Sequence, residues 1–231
     1  TDRGDLSGDH VTFHVETVKV GKSIHKCGVD AIAGNVLIEK GTKLAPHHIG
    51  IAATTGDIAL PVVRKPKVIV LTSGDEVVSP KETPEPHQIR NGNGPMITAL
   101  FDMFGCEIVQ HQHLQDVVEQ TVREVSDALQ KCDLLITVGG ISAGDRDFFP
   151  HAFEQLNLEF AVKGASIQPG KPVMIGTCAN TTVLGLPGNP VSALACAHLF
   201  GLPIVLSMLG TDPTLQWMQL PLSTSVIPNL L

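Results

Sequence analysis

From Lys67 onward, short continuous apolar runs alternate with stretches whose apolar residues recur at helical spacing, and this alternation restricts the fold more than any other feature. A strand that is apolar on both faces must be covered on both faces, the condition met by a mostly parallel sheet between helical layers. The runs predict strands over residues 67–71, 106–111, 134–138 and 159–162, and a further pair within 172–185 turning at Ala179-Asn180. Met96, Ala99, Leu100 and Met103 predict a helix over 95–104 after the Asn91-Gly92-Asn93 start. Val118, Val122, Val125 and Leu129 predict another over 116–131, and a shorter one is expected over 148–156. The last helix is expected to open at Asn189 as cap, with Pro190 in first position and Ser192 in the first turn.

Upstream, residues 11–64 show short apolar alternations broken by Gly, as at 11–15 and 35–39, with one short helix from Pro46 to near Gly56. The expected organisation is therefore a small β-rich domain over 1–66, an α/β domain over 67–210 with a three-layer, mostly parallel sheet flanked by helices, and a tail over 211–231. The tail is an irregular end or the first residues of a truncated C-terminal domain.

Charge and cysteine usage narrow the function classes. Sixteen Lys and Arg against 23 Asp and Glu give a net charge of −7 without a basic run, so nucleic acid is not an expected partner. The 5 Cys are scattered and form no CxxC pair, which points to reduced thiols in a cytoplasmic compartment and to no zinc site. The most apolar stretch, 193–209, is interrupted by His198, Gly201 and Pro203 and reads as a buried helix, so no membrane association is expected. No secretory leader is read at the start of the chain.

Four loops fall where ligands bind in open α/β sheets, outside the carboxyl ends of the strands. The first, Thr72-Ser73-Gly74-Asp75-Glu76, presents two carboxylates suited to Mg²⁺, although acids of this kind are also ordinary in a solvated turn. The second, Gly139-Gly140-Ile141-Ser142-Ala143-Gly144-Asp145-Arg146-Asp147, combines glycines, a hydroxyl and acids directly after an apolar strand. Its N–H groups can approach an anion and a carboxylate can bridge through a divalent cation. The third, Gln168-Pro169-Gly170-Lys171-Pro172, holds one ammonium group between two prolines, a phosphate contact or a tight turn with a surface Lys. The fourth, Leu186-Pro187-Gly188-Asn189-Pro190-Val191-Ser192, opens a helix and is an anion site or a plain cap. His111 and His113 share a strand face, and without an acid or Cys to complete a metal set they read as solvated edge residues.

Taken together and in order, TSGDE, the Asn91-Gly92-Asn93 helix start, TVGGISAGDRD, QPGKP and GLPGNPVSAL resemble the MoeA-type molybdopterin molybdenumtransferases and the gephyrin E domain, over about residues 11–210. The resemblance implies that residues 67–210 form a molybdopterin-binding domain. It implies Mg²⁺-dependent insertion of molybdate into adenylated molybdopterin with release of AMP. It matches Glu76, Asp147 and Lys171 to functional positions and Asp116 to a further acid, with Glu76 and Asp147 as metal ligands. Ser73, Gly74, Asp75, Asn91, Gly139, Gly140, Ser142, Gly144, Gly170, Pro187, Gly188, Asn189 and Ser192 then contact the ligand. It also implies a homodimer in which the flanking unit of one chain approaches the pocket of the other. Two departures stand out: Gln168 replaces a residue commonly Lys or Arg, and the chain has no Tyr to supply the family's N-terminal Asp-Gly-Tyr-Ala-like motif. The alternative they raise is a shortened homologue or fragment that binds its ligand as a binding or scaffold module without full turnover.

Overall fold

The structure is a computed structural model that describes residues 4–13, 17, 19–141 and 148–224. The chain divides into two compact units, one up to Gly56 and one from Asp57. In the first, β1 (Gly4–Ser7) pairs antiparallel with β2 (His10–Phe13), and α1 spans Pro46–Thr55. Pro46 suits the first helical turn, where its missing N–H is no loss, and Gly56 ends the helix in the left-handed conformation. The expected strand at 35–39 is not formed: a strand needs a paired edge, and this segment has none, with Val36 exposed. The described β structure of this unit is the one hairpin.

The second unit holds a six-stranded sheet in the order β6-β3-β7-β10-β9-β8. Its strands are β3 (Lys67–Ser73), β6 (Glu107–Leu114), β7 (Leu134–Val138), β8 (Glu159–Lys163), β9 (Met174–Cys178) and β10 (Thr181–Leu186). Pairings among β6, β3, β7 and β10 are parallel, and β9 runs antiparallel to both neighbours. A short parallel ladder joins β4 (Val77–Val78) to β5 (Ile89–Arg90).

Side-chain alternation divides the core into two halves. Val68, Val70, Leu134, Ile136, Leu184 and Leu186 face α2 (Asn93–Met103) and the terminal helices, whereas Ile69, Leu71, Leu135 and Val183 face α3 (Val118–Leu129) and α4 (Phe148–Gln155). Phe101 fills the first half and Phe149 and Phe153 the second, all fully buried, each such side chain contributing roughly 2–3 kcal/mol through burial. Three layers result, as the apolar runs require.

The terminal helix is continuous but not uniform: α5 (Pro190–Cys196), a π-helical turn at Ala197–Gly201, then α6 (Leu202–Met208). Gly201 lies at the end of the wide turn, where a Cβ would stand 2.6 Å from the Phe101 ring. By length and composition alone Pro190–Met208 could cross a membrane, yet Ala193, Cys196, Ala197 and Val205 are wholly buried in the sheet-facing core. Ahead of β3, Arg64 clamps Asp133 with two bonds of 2.6 and 2.7 Å, and Asp133 also accepts the Lys67 N–H. This ties the start of β3 to the start of β7. The three donors hold the Asp133 carboxyl down at about 2, the Arg64 bond being the largest cause.

Candidate functional site

Because β3, β7 and β10 are parallel, their carboxyl ends at Ser73, Val138 and Leu186 lie along one edge of the sheet. The loops that follow them, with the start of α2, enclose a cleft of about 650 Å³. Its lining includes Ser73, Gly74, Asp75, Glu76, Asn91, Asp116, Gly139, Gly140, Pro187 and Gly188, ten of the expected site residues from five separate stretches of chain.

Local geometry explains the glycines. Gly74 has φ +133°, and the Glu76 carboxylate folds back so closely that a Cβ at Gly74 would meet it at 3.0 Å. Gly140 has φ +57°, and a Cβ there would stand 2.7 Å from Ser73 Oγ. Two strand ends can therefore approach each other only if the second carries no side chain.

The acids are brought together by reciprocal bonds. Asp75 N–H donates to Asp116 Oδ2 at 3.3 Å, and Asp116 N–H donates to Asp75 Oδ1 at 3.1 Å. Partial burial raises the Asp116 carboxyl above its ordinary value, and the charges of Asp75 and Glu76 push in the same direction, against the opposing hydrogen bond from Asp75. This is an acidic wall that gains by neutralisation from outside. Among the described residues no group of three His, Cys, Asp or Glu could cage a metal ion. The carboxylates instead suit a Mg²⁺ that takes one or two protein ligands and completes its shell with phosphates and water.

Other expected residues have different placements. Asn91 is buried and its amide is used within the protein: Oδ1 accepts the Gly94 N–H and Nδ2 donates to Thr72 Oγ1, both at 2.9 Å. Asn189 caps α5 by accepting from Val191 N and Ser192 N, and the Ser192 hydroxyl donates to Asn189 Oδ1. Gly170 is buried against Cys196, and Lys171 is exposed beside Pro172, which lines the cleft. Ser142, Gly144 and Asp147 lie outside the described residues.

Sequence reasoning missed several cleft groups. Arg90 lines the cleft and donates from Nε to the Glu82 carbonyl at 3.0 Å, placed there by the β4–β5 ladder that two-residue strands are too short to signal. Asn93 Nδ2 donates to the Gly188 carbonyl at 2.7 Å, while its Oδ1 is buried with no partner. His113 is not a solvated edge residue: it is partly buried, with both ring nitrogens bonded to the first loop.

An α/β sheet with a glycine-built cleft at its strand carboxyl ends, walled by acids, defines the class of a small-ligand binding domain. The chain belongs to the family described as "Probable molybdopterin binding domain", whose pattern it matches over residues 69–207. It is 34% identical to a molybdopterin molybdenumtransferase of Bacillus subtilis over 81% of this chain and 44% of that protein. It is 32% identical to one of Staphylococcus aureus over 79% of this chain and 44% of that protein. A crystal structure of a molybdopterin biosynthesis MoeA protein from Pyrococcus horikosii superposes with a TM-score of 0.74 at 29% identity, covering 90% of this chain and 52% of that one. The chain thus spans about half the length of the relatives it matches.

Proposed function

We propose that the cleft binds adenylated molybdopterin and that the chain takes part in molybdenum cofactor formation, with molybdate inserted and AMP released. The observation that carries this reading is the acidic wall of Asp75, Glu76 and Asp116 opposite the Gly139-Gly140 and Pro187-Gly188 loops in a single cleft. Acids alone repel a phosphorylated ligand, so the wall calls for a divalent cation between them.

Glu76 together with Asp147 would hold Mg²⁺, which when bound supplies positive charge to the phosphate oxygens. Asp116, whose proton affinity is raised, is suited to orient water or the incoming oxyanion by hydrogen bonding. Lys171 and the N–H groups of the glycine loops, Ser142 and Gly144 among them, would neutralise charge on the phosphates as AMP departs. Arg90 adds a cation at the cleft, and the orphaned Asn93 Oδ1 offers an acceptor to a heterocyclic N–H. The homodimer implied by the family resemblance belongs to the same reading.

The test is turnover. With adenylated molybdopterin, Mg²⁺ and molybdate, the chain is expected to release AMP, and Asp116→Asn and Glu76→Gln to release it at least tenfold more slowly, the scale of losing one acid–base or charge-stabilising group. Unchanged release in both variants would refute the assignment.

A further inference from the structure

A chain of hydrogen bonds beneath the cleft runs in one direction. The Gly94 N–H in the first turn of α2 donates to Asn91 Oδ1, which fixes the orientation of that amide. Asn91 Nδ2 then donates to Thr72 Oγ1 at 2.9 Å, and Thr72 Oγ1 lies 2.9 Å from His113 Nδ1. His113 Nε2 lies 3.2 Å from the Gly74 carbonyl. A carbonyl only accepts, so Nε2 carries the proton; Nδ1 of the neutral ring is then the acceptor, and the Thr72 hydroxyl, already accepting from Asn91, donates to it. Each member has one role left open, and its neighbour fills it.

Strand register makes this possible. In the parallel β3–β6 pair Thr72 stands opposite His113 and Val70 opposite His111, so both imidazoles lie on the α2 side of the sheet. His111 rests on the backbone of Gly94, where any side chain would collide with its ring.

We propose that His113 is a positioning residue: as the neutral Nε2–H tautomer it holds the Gly74 carbonyl, and so fixes the turn that presents Asp75 and Glu76 to the cleft. The Gly74 carbonyl also accepts the Val77 N–H at 3.0 Å, so the imidazole braces a turn already closed on itself. The catalytic consequence rests on the function proposed above; the positioning itself does not.

The two halves of the ring can be separated by substitution. His113→Gln keeps a donor near the Nε2 position for Gly74, whereas His113→Asn keeps only an acceptor near the Nδ1 position for Thr72. The full chain, labelled with ¹⁵N at histidine, is examined first by long-range ¹H–¹⁵N correlation NMR. The expected result is the Nε2–H tautomer at His113, and the Nδ1–H tautomer or rapid averaging overturns the proposal. In AMP release from adenylated molybdopterin, His113→Asn is expected to lower kcat about tenfold with KM within about twofold. His113→Gln is expected to recover to within about threefold of the unaltered chain. A side chain that merely filled space would leave Gln and Asn equally impaired, and that equality refutes the proposal, as does unaltered kcat in both. Should the unaltered chain release no AMP, the function fails, but the backbone amide resonances of Asp75 and Glu76 still decide the positioning. They are expected to move in His113→Asn and to stay near their original positions in His113→Gln, and the same displacement in both variants contradicts it.

Discussion

Replacing Gly140 by Ala tests how the cleft is built. At φ +57° an alanine pays the left-handed backbone cost of about 1 kcal/mol. Its Cβ would also stand 2.7 Å from Ser73 Oγ and 3.3 Å from Phe149 Cδ2. The Ser73 hydroxyl would have to leave its present position, and Phe149 is wholly buried and has nowhere to go, so overpacking adds about 1–2 kcal/mol. Gly140→Ala should therefore destabilise the α/β unit by about 2–3 kcal/mol in urea denaturation, with the slope unchanged. In a Ser73→Ala background the hydroxyl contact is absent, and the penalty should fall by about 1 kcal/mol, which a double-mutant cycle reads as coupling. A penalty under about 0.5 kcal/mol, or one identical in both backgrounds, would show that the approach of β3 to β7 does not require the glycine.

Asp133 titrates near 2 when folded against an ordinary value of 3.8, so its stabilisation is complete above about pH 4 and is lost as pH falls toward 2. Solvent screening of the exposed Arg64 reduces the effect, and the stability gap between the unaltered chain and Asp133→Asn should close over that window. Asp116 has the opposite sign: its raised carboxyl opposes folding when ionised. Asp116→Asn should accordingly be more stable at pH 7, with the gain vanishing below about pH 4, while Mg²⁺-dependent ligand binding weakens in calorimetry. Asn189→Ala removes the acceptor of two N–H groups at the start of α5 and should cost about 1 kcal/mol in thermal denaturation, whereas Asn189→Asp should restore it.

Apolar patterning carried the α/β unit because it is dominated by buried strands: 134–138 was expected as a strand and is one, residue for residue. The ends of β3 and β6 were placed short because Thr72, Ser73, Gln112 and His113 are polar, although the ladder continues through them. Those polar ends build the cleft, so the pattern stops where function begins. Residues 35–39 failed in the other direction, since alternation signals a strand only where a partner edge exists. At the site, acids and glycines were legible from their loops, and a resemblance carried by five ordered motifs gathered them. What His113, Asn91 and Arg90 do was not legible, because each depends on a neighbour distant in sequence: His113 and Asn91 on Thr72, and Arg90 on the β4–β5 ladder. Asn91 and Asn189 also show that the side-chain amide of a residue in a ligand-side loop can be taken up by hydrogen bonds within the fold.

The most direct test of the central claim is calorimetric titration of the chain with adenylated molybdopterin, with and without Mg²⁺, followed by AMP release on adding molybdate. The account predicts binding that depends on Mg²⁺ and AMP released once molybdate is present. Binding that ignores Mg²⁺, or bound ligand from which no AMP departs, would contradict it.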